Sequence, residues 1–95
     1  MALFVLTCID KPDSLALRMA TREAHFAYAN ARAAAIRLGG PFLDEKGDMA
    51  GSLIILEAED LAAAEAFSLG DPYRKAGLFQ SVDVRPWKAT FGTLP

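Results

Sequence analysis

From Leu3 to Ile9 the chain is apolar at every position but Thr7, and Asp10-Lys11-Pro12-Asp13 ends the run. Strand alternation sends Leu3, Val5 and Ile9 to one face and Phe4, Leu6 and Cys8 to the other, so both faces must be shielded from water. Such a strand belongs in the interior of a sheet. A second segment has the same property: within Gly51 to Ala58, Leu53 and Ile55 oppose Ile54 and Leu56. A chain of 95 residues suits one domain, residues 1–95, with one sheet and a single layer of helices. The helices cover one face, and a partner sheet packed face to face would cover the other.

The segments between these strands set the order. Asp13 or Ser14 can cap a helix in which Leu15, Met19, Phe26, Ala29, Ala33 and Ile36 recur at the helical period, and Gly39-Gly40 is expected to end it. Pro41 to Asp44 reads as a short strand, with Glu45-Lys46-Gly47-Asp48 as the hairpin turn into the next. Asp60 caps a second helix with a stripe of Leu61, Ala64 and Phe67, closed by Gly70. Asp71-Pro72 opens a further short turn or helix. In the last strand, Leu78 to Lys88, Val82 and Val84 alternate with Ser81, Asp83 and Arg85, the pattern of a sheet edge. The order β-α-β-β-α-β predicts an α+β, ferredoxin-like fold: an antiparallel sheet with two helices on one face and the first and third strands central.

Composition narrows the function. Apolar residues make up 53% of the chain, high for a small monomer, so part of that surface is expected in a homodimer interface. A net charge of -2 argues against a nucleic-acid partner, since phosphate binders carry a basic excess. No apolar run approaches the ~20 residues of a membrane helix, so no membrane partner is expected. The apolar start lacks a positive leading region and a cleavage site, reads as a strand, and leads to the expectation of a cytoplasmic protein. Cys8, the sole cysteine, has no partner for a disulfide or a Cys-x-x-Cys site and is expected to be buried and reduced.

The candidate chemistry centres on His25, the only histidine. Arg18, Arg22 and Arg32 fall on its side of the first helix, and a row of cations favours an anionic ligand. Asp71, which follows the second helix, would lie near the first helix on the same sheet face. Its carboxylate could then orient the imidazole as a general acid or base. Tyr73 could close the pocket or donate its hydroxyl. Each residue also has a plainer reading: solvated arginines on a helix surface, a packed histidine, a capping aspartate, a half-buried tyrosine. Asp10 could reach the site as a second carboxylate but reads better as a loop-starting residue, and Ser52 has no histidine in local register to make it a nucleophile. No metal-ligand cluster, Gly-rich phosphate loop or dinucleotide fingerprint is present, so neither metal nor cofactor is expected.

Arg22-x-x-His25-x-x-Tyr28, Gly40-Pro41, Gly51-Ser52-Leu53, Asp71-Pro72-Tyr73, Lys75-Ala76-Gly77-Leu78-Phe79 and Val84-Arg85-Pro86-Trp87 occur in that order along nearly the whole chain. In this combination the sequence resembles the YciI-like (YCII-related) family. The resemblance implies a ferredoxin-like domain forming a dimeric α+β barrel, with a histidine-aspartate site matched here by His25 and Asp71. One branch of that family is associated with removing chloride from a chlorinated hydroxyquinol. The reading that results is a cofactor-free enzyme of lyase or isomerase type. His25 and Asp71 would carry acid/base chemistry, and Arg22, Arg18 and Tyr73 would bind a small anionic or phenolic metabolite. The alternatives are a non-catalytic binding or regulatory dimer using the same pocket, and a purely structural domain with an empty or blocked one.

Overall fold

The computed structural model describes residues 1–94. Four strands, β1 (Ala2–Asp10), β2 (Ile36–Leu43), β3 (Met49–Ala58) and β4 (Phe79–Trp87), form one sheet. The sheet runs β2-β3-β1-β4 with every neighbouring pair antiparallel. The helices are α1 (Leu15–Asn30), α2 (Leu61–Gly70) and the short α3 (Pro72–Lys75). The β-α-β-β-α-β order and the central places of β1 and β3 are those expected from their double-faced apolar pattern, and α3 stands at Asp71-Pro72.

The register sorts the sheet's two faces. Leu6 lies opposite Ile54 and Phe4 opposite Leu56, and these four, with Ala58 and Ala64 of α2, form the core beneath the helices. Ala35, Ile36, Phe67 and Val84 pack around it. Cys8 is buried on the same side. On the other face Val5 pairs with Ile55, Thr7 with Leu53 and Leu3 with Trp87; Ile55 is buried there, Val5 and Leu53 are half-buried and Trp87 is exposed.

Three expectations are corrected. The first helix stops at Asn30 instead of continuing to Gly39-Gly40. The helical period does persist through Ala33 and Ile36. There, however, the backbone tightens into i to i−3 hydrogen bonds, Arg32 to Ala29 and Ala33 to Asn30 among them, and Ile36 then pairs with Leu56 of β3. Strand pairing outweighs helical propensity, so the glycines lie inside β2, an edge strand where Gly39 faces Ile54 and Pro41 faces Ser52. Second, the apolar stripe assigned to α1 is not its buried side: Leu15, Met19 and Phe26 are exposed, and the helix's only buried residue is Arg18. Similarly on α2, Ala64 and Ser68 are buried while Leu61 is exposed. Third, Ser14 holds the N-cap position of α1 but its hydroxyl bonds to the carbonyl of Pro12, leaving the helix without a side-chain cap.

The second helix begins as expected, with Asp60 accepting from the backbone N–H of Ala63 at 2.8 Å. In the C-terminal segment Phe91 is 96% exposed, so it anchors nothing within this chain. Pro95 lies outside the described residues.

Candidate functional site

The inward side of α1 is polar, and the consequence is a gap. α1 packs against α3 and makes little contact with the sheet. Between α1 and β2–β3 lies a cavity of about 230 Å³. One wall is apolar, with Phe26, Ala29, Ile36 and Ile54 prominent, and the glycines of β2 contribute backbone in place of side chains. The other end is polar and holds Arg18, Arg22, His25, Ser52 and Tyr73.

His25 reaches this end because it sits on the α1 turn that faces α3. Its Nδ1 lies 2.9 Å from Oδ1 of Asp71, and the same carboxylate oxygen accepts the backbone N–H of Tyr73 at 2.9 Å. Asp71 therefore caps α3 and lies within hydrogen-bond distance of the imidazole at once. An ionised carboxylate only accepts, so a neutral ring bonded to it carries its proton on Nδ1 and its lone pair on Nε2. The His25 side chain is 14% exposed and that of Asp71 5%. Tyr73, 2% exposed, stacks against the His25 ring with centroids 4.1 Å apart and planes 17° from parallel. Burial raises the Tyr73 phenol's pKa above its ordinary value although Arg18 and Arg22 oppose that shift, so the hydroxyl remains protonated at neutral pH.

Arg18 departs from the plainer of its two readings, a solvated residue. It is 2% exposed and donates from Nε to Asp10 Oδ2 at 2.7 Å and from Nη2 to Asp10 Oδ1 at 3.0 Å, a fork-on-fork pair. Nη2 also donates to Ser52 Oγ at 2.8 Å, and the guanidinium lies 4.5 Å from the centroid of Tyr73. Burial disfavours the Arg18 cation, but the hydrogen bond and charge of Asp10 prevail and its pKa is raised. Asp10, expected to begin a loop, is thus a buried counter-charge at the end of β1, 8% exposed. A stack of guanidinium, phenol and imidazole results, fixed at one end by Asp10 and at the other by Asp71.

The remaining arginines divide. Arg22 lines the cavity beside the Phe26 ring, 4.9 Å from its centroid, and makes no ion pair among the described residues, so its charge is available to a ligand. Arg32 turns away: it lies over the Tyr28 ring at 3.7 Å and donates to the Tyr28 carbonyl. Sequence reasoning passed over the Asp10–Arg18–Ser52 network. A small polar residue and an acid on the helix-facing side of two otherwise apolar strands was the signal that could have revealed it.

A four-stranded antiparallel sheet with helices on one face, and a pocket between the first helix and that sheet, define a ferredoxin-like α+β domain with a small-molecule-sized cavity. The chain belongs to the YCII-related family, whose domain model matches residues 2–88. It is 38% identical to Protein YciI of Escherichia coli O6:H1 over 94% of this chain and 99% of that one. An uncharacterized protein of Haemophilus influenzae is 33% identical over 93% and 98%. Among solved structures, the 5-chloro-2-hydroxyhydroquinone dehydrochlorinase of Burkholderia phenoliruptrix AC1100, in complex with 2,5-dihydroxybenzoquinone, superposes with a TM-score of 0.86. It is 39% identical, with 93% of this chain and 95% of that one covered. An antibiotic biosynthesis monooxygenase from Bacteroides thetaiotaomicron, at 12% identity and a TM-score of 0.60, covers 99% of this chain and 93% of its own and shares the fold alone.

Proposed function

We propose that this protein is a cofactor-free enzyme of lyase or isomerase type acting on a small phenolic or quinol-like anion, with His25 as the proton-transferring residue and Asp71 as its orienting partner. The observation that carries the reading is the 2.9 Å contact between Nδ1 of His25 and the twice-bonded carboxylate oxygen of Asp71, which supports Nε2 as the base. A phenolic hydroxyl placed against Nε2 would give up its proton, and the charge left on oxygen would face Arg22. The apolar wall near Phe26 and Ile54 suits a flat ring. The dehydrochlorinase with a bound dihydroxybenzoquinone supports this substrate class.

The same reading includes a homodimer, with a second copy laid on the sheet face of Val5, Leu53 and Ile55, and a cytoplasmic setting suited to the unpaired Cys8. The test is turnover of a panel of hydroquinones that includes 5-chloro-2-hydroxyhydroquinone, followed by absorbance and chloride release. At least one member should react, and His25→Gln should lower kcat about 10²–10⁴-fold while leaving the protein folded. Activity unchanged in His25→Gln refutes the assignment. Binding without turnover in the wild-type protein moves the protein to the regulatory-module alternative.

A further inference from the structure

Ser52 is 5% exposed, stands on β3 opposite Cys8 and Pro41, and lines the polar end of the cavity. Its only side-chain hydrogen bond among the described residues comes from Nη2 of Arg18 at 2.8 Å. The direction of that bond has one solution. A guanidinium has no acceptor, so Oγ of Ser52 must accept, and the hydroxyl hydrogen is left over. No protein acceptor among the described residues takes it. Arg18 in turn cannot rotate to relax this arrangement, because Asp10 holds its Nε and Nη2 from the other side. A buried hydroxyl whose donor is unspent, at the wall of a cavity, is a recognition element waiting for an acceptor.

We propose that Ser52 is a specificity-determining binding residue: its hydroxyl, polarised and oriented by Arg18, donates a hydrogen bond to an oxygen of the bound ligand. Resting on the reading of the cavity as a site for small phenolic compounds, the inference narrows the ligand class. His25 Nε2 accepts at one point and Ser52 donates at another, so the ligand is a ring bearing two oxygens: a hydroxyl that gives a proton to His25, and a carbonyl or second hydroxyl that receives the Ser52 hydrogen. A ring with a single oxygen satisfies only one of the two and leaves a buried polar group unpaired, the kind of mismatch by which sites reject analogues. Arg18 is a positioning residue in this scheme and acts only through Ser52.

The test compares binding of hydroquinone and phenol, which differ by one oxygen, by NMR titration of the full-length wild-type protein and Ser52→Ala. A third probe, 2,5-dihydroxybenzoquinone labelled with ¹³C at its carbonyls, reports the hydrogen bond directly. The wild-type protein should bind hydroquinone about five- to tenfold more tightly than phenol. Ser52→Ala should erase that preference without weakening phenol, and the carbonyl resonance of the bound quinone should move toward its value without a donor. Ser52→Cys, close in shape but a weak donor, should show the same loss and serves if the alanine variant does not fold. A preference for hydroquinone that survives both substitutions overturns the role of Ser52 while leaving the pocket reading intact. Failure of all three probes to bind the wild-type protein overturns the pocket reading, and this inference with it.

Discussion

Two residues set local limits that the rest of the fold obeys. Gly70 ends α2 against the ring of Tyr28, and a Cβ built there would run into the Tyr28 hydroxyl, which itself donates to the carbonyl of Phe67 at 2.8 Å. Gly70→Ala should therefore destabilise the protein by about 1–3 kcal/mol, read as a lower midpoint of denaturant unfolding, and should cost much less in a Tyr28→Ala background. Equal cost in both backgrounds would mean that the clash is not the cause. Cys8 sets a limit of another kind: burial, with Asp71 adding to it, pushes its thiol up to about 12 from 9.0. The folded state then keeps a proton that the unfolded chain releases. That contribution is whole below pH 9 and is lost as pH rises toward 12. Between those values the wild-type protein should lose stability more steeply than Cys8→Ala, by up to about 1.4 kcal/mol per pH unit. Parallel stability curves for the two proteins would contradict this.

At the scale of elements, the site is held where β1, α1 and β3 meet through Asp10, Arg18 and Ser52. Removing the negative charge leaves a buried guanidinium uncompensated. Asp10→Asn should cost about 3 kcal/mol, whereas replacing the pair together, Asp10→Asn with Arg18→Met, should cost less than Asp10→Asn alone. Chemical denaturation of the three variants checks the order. The sequence displayed much of this architecture: the double-faced apolar runs located β1 and β3 in the interior, and Asp60 and Asp71 marked the starts of α2 and α3. It concealed Ile36 to Gly40 of β2 for a physical reason. Between Ala33 and Pro41 the local signals, helical spacing and a Gly-Gly stop, competed with a pairing to β3 that exists only once the sheet has formed. Arg18 was illegible in the same way, because a guanidinium is buried only where a carboxylate from a distant strand awaits it.

At the scale of the molecule, the sheet has one face closed by α2 and the core, and an opposite face of Val5, Leu53, Ile55 and Trp87, on which Val5 and Leu53 are half-buried and Trp87 is exposed. A second copy on that face predicts that Leu53→Lys converts a dimer into a folded monomer in sedimentation velocity. A dimer that persists places the interface elsewhere. The same sheet forms one wall of the cavity and α1 the other, and His25 meets Asp71 only because α1 and α3 lie side by side. We infer that this meeting fixes the imidazole with its proton on Nδ1 and its lone pair on Nε2. The measurement that tests it most directly is the ¹⁵N NMR spectrum of the single histidine with its ring neutral, in the wild-type protein and in Asp71→Asn. A protonated Nδ1 and a bare Nε2 are expected in the wild type, with that bias weakened in the variant. A wild-type ring protonated on Nε2, or a tautomer balance indifferent to Asp71, would contradict it.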